Sequence, residues 1–164
     1  MDPVIQFLWD RPSDFRELRT STAFGVMLLE RGFESDAILR LAGMRAEDWH
    51  WEEELVEQAV RDIGRGELLQ TQPLAEAYQA ALIEDYYVGK IDGRELIKIG
   101  CGLELVFERG RRFWETIAEE ASLFGGNGFS PLYGFDRRPF DEALKDALAQ
   151  NGFPDQRLFR GNWS

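Results

Sequence analysis

The sequence predicts a mainly α-helical protein, a single compact domain of about seven helices over residues 1–164. Apolar residues recur at helical spacing through most of the chain, and capping residues and glycines stand where these patterns begin and end. Of the 164 residues, 44% are hydrophobic and 13% are aromatic, a composition that builds a core rather than a disordered tail. A chain of this size buries about 68–70% of its unfolded surface, which is enough for a core without disulfides or a structural metal.

The first predicted helix begins at a capping box formed by Asp14 and Glu17. It ends at Gly32, and Phe33 then stands where a Schellman motif places an apolar residue against the preceding turn, near Leu28. The inner face of this helix is expected to consist of Phe15, Leu18, Thr22, Val26 and Leu29.

Three more helices follow in the first half of the chain. The second is short, capped by Ser35 or Asp36 and ended by Gly43. The third covers residues 47–63, and the fourth begins at Pro73, which suits a first helical position because its missing N–H needs no partner there. Their apolar positions are Ile38 and Leu41, then Trp49, Val56, Ala59, Val60 and Ile63, and then Leu74, Tyr78, Ala81 and Leu82.

One segment, residues 96–107, fits two secondary structures. A capping box of Asp92 and Glu95 precedes it and favours a central helix that is apolar most of the way round. Alternate residues are also apolar, as in a strand, and Gly100 and Gly102 each weaken a helix by roughly 1 kcal/mol relative to alanine. We favour the helix, because such a strand would be unusually long and short of partners; minor β structure at residues 97–107 is the alternative.

Two helices are predicted in the last third of the chain, over residues 111–124 and 139–151. Gly125 and Gly126 end the first, and Gly152 ends the second, with Phe153 in the Schellman position. Between them lies a loop rich in glycine and aromatic residues, 125–138, which is predicted to be either a lid or an Ω-loop packed on the core. Residues 153–164 are expected to form a C-terminal arm.

The acidic charge of the chain is concentrated in one quarter of its length. The formal net charge is −11, from 30 acidic and 19 basic residues. Residues 46–86 hold eleven of the acidic residues and only two basic ones, and so carry −9 of this charge. The excess of acid argues against nucleic acid as a partner, since phosphate binding needs Lys and Arg. A local charge of this size creates a directed field that favours a basic protein partner.

The composition also indicates the cellular compartment of the protein and excludes several kinds of metal and cofactor site. No apolar run approaches the roughly 20 residues of a transmembrane helix, so no membrane association is expected. The single cysteine, Cys101, fits a reducing cytoplasm. With His50 as the single histidine, the chain lacks the ligands of a zinc tetrahedron. Residues 87–99 resemble a calcium loop in spacing but place Val88, Lys90 and Ile99 at ligand positions, where oxygen ligands are needed. Dinucleotide, phosphate-loop and G-x-S-x-G motifs are absent too, so we expect no metal and no cofactor.

The first functional hypothesis is a non-enzymatic, acidic, helical protein-binding module that engages a basic protein partner. An inhibitor, antitoxin or immunity-type protein that covers a cationic active site is one form of it. Carboxylates would steer the encounter, and adjacent aromatic residues would supply affinity. The predicted partner-binding residues are Trp51, Glu53, Glu54, Glu57, Glu84, Asp85, Tyr86 and Tyr87.

Three other features carry alternative hypotheses. His50, next to several carboxylates, is the candidate for a general acid or base in a small enzyme, working under the loop at residues 125–138. Four arginines form a candidate anion-binding site, because guanidinium groups match carboxylate and phosphate. The third alternative is a homo-oligomeric structural protein that assembles through the C-terminal arm. The four arginines are Arg111, Arg112, Arg137 and Arg138.

Overall fold

The computed structural model describes residues 1–11, 18–103, 108–124 and 137–155. Over these ranges the chain forms eight α-helices, two short 3-10 helices and no strand, which confirms the predicted mainly helical fold. The 3-10 helices are Ala46–Trp51 and Gly66–Leu69. The α-helices are α1 (Pro3–Asp10), α2 (Leu18–Glu30), α3 (Asp36–Ala42), α4 (Glu52–Asp62), α5 (Thr71–Tyr87), α6 (Gly93–Leu103), α7 (Glu108–Phe124) and α8 (Arg137–Gln150).

The chain is divided by its packing into two compact units, Met1–Tyr78 and Gln79–Ser164. Helix α5 contributes residues to both, because the boundary falls inside it. The single domain expected from the sequence stays a prediction. No helix of the described ranges is both long and apolar enough to cross a membrane.

Helix α1 packs through apolar side chains and two aromatic stacks. Asp2 caps it, because the carboxylate accepts a hydrogen bond from a first-turn backbone N–H at 2.8 Å. The ring of Phe7 stacks on Phe24 with centroids 3.9 Å apart, and the ring of Trp9 stacks on Tyr78 at 4.4 Å. The buried residues of this helix are Val4, Ile5 and Leu8.

The inner face of α2 differs from the predicted one. Val26, an expected core residue, is 40% exposed, and Phe15 lies outside the described residues. The buried positions are Ser21, Phe24, Gly25 and Leu28. A Cβ atom at Gly25 would lie 2.5 Å from the backbone nitrogen of Ala42, so α3 packs directly on the α2 backbone there. The predicted face did not include Phe24 or Leu28, and a hydrophobic pattern gives no weight to Gly25, where α3 approaches.

The predicted third helix, residues 47–63, is two elements in the structure. A 3-10 helix, Ala46–Trp51, precedes the shorter α4. The Asp48 carboxylate accepts a hydrogen bond from the Arg45 N–H at 3.1 Å, and the Asp48 N–H donates to the Arg45 carbonyl at 2.9 Å. The backbone bond from Asp48 to Arg45 spans three residues, as in a 3-10 helix. The spacing of apolar residues does not distinguish such a turn from a turn of α-helix.

Residues 93–103 form α6, so the segment at residues 96–107 that fitted either a helix or a strand is helical as far as residue 103. Residues 104–107 lie outside the described part of the chain. Asp92 caps α6 by accepting hydrogen bonds from two backbone N–H groups at 2.9 Å. A Cβ atom at Gly100 would lie 2.5 Å from Cε2 of Trp114, and one at Gly93 would lie 2.7 Å from a methyl carbon of Leu144. Both glycines therefore let α6 pack closely on α7 and α8.

Within the described ranges, four of the α-helices end with a glycine at positive φ. Gly32, Gly64, Gly89 and Gly152 have φ angles between 76° and 93°. After each one, the next N–H donates to a carbonyl five residues earlier, at 2.9 to 3.1 Å. These are Schellman motifs, so the predicted helix ends at Gly32 and Gly152 are confirmed.

Two predicted segments fall largely outside the described residues. Of the loop at residues 125–138, residues 125–136 lie outside and the last two begin α8. Of the arm at residues 153–164, only 153–155 are described. The Phe153 ring contacts Phe113 edge to face, with centroids 5.3 Å apart, so the start of the arm packs on α7.

Candidate functional site

Trp51 stands at the end of the first 3-10 helix, directly before α4, and its side chain is 47% exposed. Glu53 and Glu54, in the first turn of α4, are exposed as well. Carboxylates are favourable at this end of a helix because its backbone dipole presents positive charge there. Glu57, one turn further on, is half-buried and pairs with Arg61 at 2.7 Å. We call Trp51, Glu53, Glu54 and Glu57 the Trp51 surface.

Glu52 belongs to the same acidic run but points the opposite way. Its side chain is 6% exposed, and Oε1 accepts a hydrogen bond from the Ser21 hydroxyl at 2.5 Å. Neither Ser21 nor Glu52 is among the candidate residues predicted from the sequence. One signal was present: Glu52 precedes Leu55 and Val56 by three and four residues, which places it on the buried face of α4.

His50 lies in the 3-10 helix and not in α4, and its side chain is exposed. Its ring contacts Trp51, with centroids 4.9 Å apart and an interplanar angle of 49°. The histidine therefore borders the Trp51 surface. Among the described residues, no group of three or more His, Cys, Asp or Glu side chains is arranged to hold a metal ion.

The other predicted partner-binding residues lie at the end of α5, in the second unit, and most of them make internal contacts. Glu84 is exposed. Asp85 is buried and accepts a hydrogen bond from the Lys90 ammonium at 2.9 Å. Burial raises the pKa of the Asp85 carboxyl, but hydrogen bonds and opposite charges, including those of Lys90, lower it overall.

Two tyrosines next to Asp85 tie α5 to the C-terminal part of the second unit. Tyr86 is buried, and its hydroxyl donates to the Asp141 backbone carbonyl at 3.2 Å or to the Asp141 carboxylate at 3.3 Å. Burial and the Asp141 charge raise the pKa of the Tyr86 hydroxyl. Tyr87 is half-buried and donates to the Phe153 carbonyl at 2.7 Å. Of this part of the predicted site, Glu84 thus has the most accessible side chain.

The two basic residues of the acidic stretch at residues 46–86 both pair with carboxylates. Arg61 binds Glu57, and Arg65 binds Asp2 at 3.0 Å and lies 3.7 Å from Glu67. Their charge is therefore already offset within the first unit. The exposed carboxylates of this stretch in that unit are Glu47, Glu53, Glu54, Asp62, Glu67 and Glu76.

The remaining candidate residues are located only by their backbone. Arg111 and Arg112 lie in α7, and Arg137 and Arg138 begin α8. The side chains of these four arginines, and that of Trp49, are outside the part of the chain that the structure describes. The predicted anion-binding site stays a prediction.

No protein-family model, curated protein or solved structure matches this chain.

Proposed function

We propose that this chain is a non-enzymatic protein-binding module whose Trp51 surface engages a basic protein partner. The observation that carries the proposal is that Trp51, Glu53 and Glu54, which lie within four consecutive residues at the start of α4, are all exposed. Exposed tryptophan adjacent to carboxylates combines the two parts that such an interface needs. One form of this function is an inhibitor, antitoxin or immunity-type protein that covers the cationic site of its target.

The two kinds of residue have different roles in this proposal. Charge complementarity mainly raises the rate of encounter and excludes partners of the wrong charge. Tryptophan is enriched among the few residues that supply most of the binding energy of an interface. Trp51 is therefore the anchor, and Glu53 and Glu54 steer the partner toward it. Glu84 is exposed too, but it belongs to the second unit and is not part of the Trp51 surface.

The proposal is tested by capture of a partner from an extract of the source organism at low and high salt. Wild-type protein should retain a basic protein at low salt and release most of it as salt rises, since screening weakens steering. The double variant Glu53→Lys/Glu54→Lys should slow association with the purified partner by about 10-fold or more at low salt. Trp51→Ala should weaken binding by about 2 kcal/mol or more, mainly through faster dissociation.

The matched control is Glu142→Lys/Asp146→Lys, which reverses two exposed carboxylates of α8 and makes the same change in net charge. It should retain the partner as wild type does. Lysine in the first turn of α4 lowers the stability of the fold by about 0.3–1 kcal/mol per residue. Thermal unfolding should therefore be measured for every variant, and we expect all of them to be folded. Retention of the same proteins by all variants, or of none by wild type, would exclude the Trp51 surface as the binding site.

A further inference from the structure

We draw no further inference here: the strongest candidate, the exposed Trp51 ring beside the acidic first turn of α4, belongs to the surface already proposed to bind a partner, and nothing in the described residues shows what else would cover it.

Discussion

Gly100 allows α6 to approach the fully buried indole ring of Trp114, because a side chain at this position would overlap the ring. In the sequence, the same glycine counts against a helix, since glycine lowers helix propensity. Gly102 carries the same penalty but has nothing within 4 Å of the place where its Cβ atom would lie. The sequence cannot separate the two glycines, because their difference lies in a neighbour fourteen residues away from Gly100.

The two glycines should respond to alanine with opposite signs. Gly102→Ala should stabilise the protein by about 0.5–1 kcal/mol, because it improves helix propensity without a clash. Gly100→Ala gains the same propensity but overpacks against Trp114, which costs about 1–3 kcal/mol, so we expect a net loss. Urea denaturation of both variants measures this difference. Equal stabilisation by the two substitutions would mean that α6 and Trp114 do not pack as closely as described.

The Ser21 and Glu52 pair is a buried polar contact of the first unit whose removal we expect to be costly. A hydrogen bond to a charged group contributes about 1.5–3 kcal/mol, and a buried carboxylate that loses a donor is penalised further. Ser21→Ala should therefore destabilise the protein by roughly 2–3 kcal/mol. Thr20→Ala, at an exposed position of the same helix, should change stability by less than about 0.5 kcal/mol.

A double-mutant cycle with Glu52→Gln isolates the contact itself. The cycle should give a coupling free energy of about 0.5–3 kcal/mol between residues 21 and 52. Coupling near zero, with both single variants as stable as wild type, would show that this hydrogen bond does not stabilise the fold.

At the scale of the elements, helix ends that depend on a local cap were predicted, whereas other ends were not: α1 was not predicted at all, and α5 begins at Thr71 and not at Pro73. Ser35, Asp92 and Gly152 each mark a helix end through bonds to their own neighbours in sequence, so local sequence is sufficient. The buried face of α2 depends instead on where α3 approaches, at Gly25. The 3-10 helix that replaces the first part of the predicted helix at residues 47–63 begins next to a side-chain hydrogen bond, which Asp48 accepts from the Arg45 N–H. Tertiary and polar contacts of this kind leave no periodic pattern.

One helix end is also tied to a distant element, and this makes it sensitive to pH. The Asp2 carboxylate, which caps α1, pairs with Arg65, which directly follows the glycine that ends α4. Burial raises the pKa of Asp2, but the hydrogen bonds from Arg65 and from the α1 backbone, with the charges of Arg65 and Arg31, lower it overall. A lowered pKa stabilises the fold above the unfolded pKa of about 3.9 and stops doing so as pH falls through the folded value.

Asp2→Asn should keep the cap and remove this charge, because asparagine caps helices about as well as aspartate. Wild type should be more stable than the variant at pH 7, by less than about 1 kcal/mol because the pair is partly exposed. The difference should shrink below pH ~4 as wild-type Asp2 takes up its proton. Urea denaturation across this pH range measures the difference in unfolding free energy between wild type and Asp2→Asn. As a control, Asp2→Asn should have a smaller effect in a protein that already carries Arg65→Gln. A difference that grows toward acid would contradict this assignment.

At the scale of the whole molecule, the sequence determines how much acidic charge there is, and the fold determines which of it is accessible. Residues 46–86 carry a net charge of −9, as counted from the sequence. Within that stretch, Glu52 and Asp85 are buried with partners, whereas Glu53, Glu54 and Glu84 are exposed. Helical spacing from Leu55 and Val56 already separates Glu52 from Glu53 and Glu54 in the sequence. The burial of Asp85 beside Lys90 has no such signal, and Asp85 was therefore wrongly grouped with the exposed carboxylates.

Total charge and local charge should therefore control different properties of the protein. Solubility depends on total charge, so it should be lowest near the isoelectric point of about 4.6. Glu53→Lys/Glu54→Lys and Glu142→Lys/Asp146→Lys each change the net charge by +4, and both should move the solubility minimum to higher pH by a similar amount. Light scattering as a function of pH measures this shift. Partner association should differ between the same two variants, because only the first changes the Trp51 surface. Equal losses of association in both would assign binding to net charge alone.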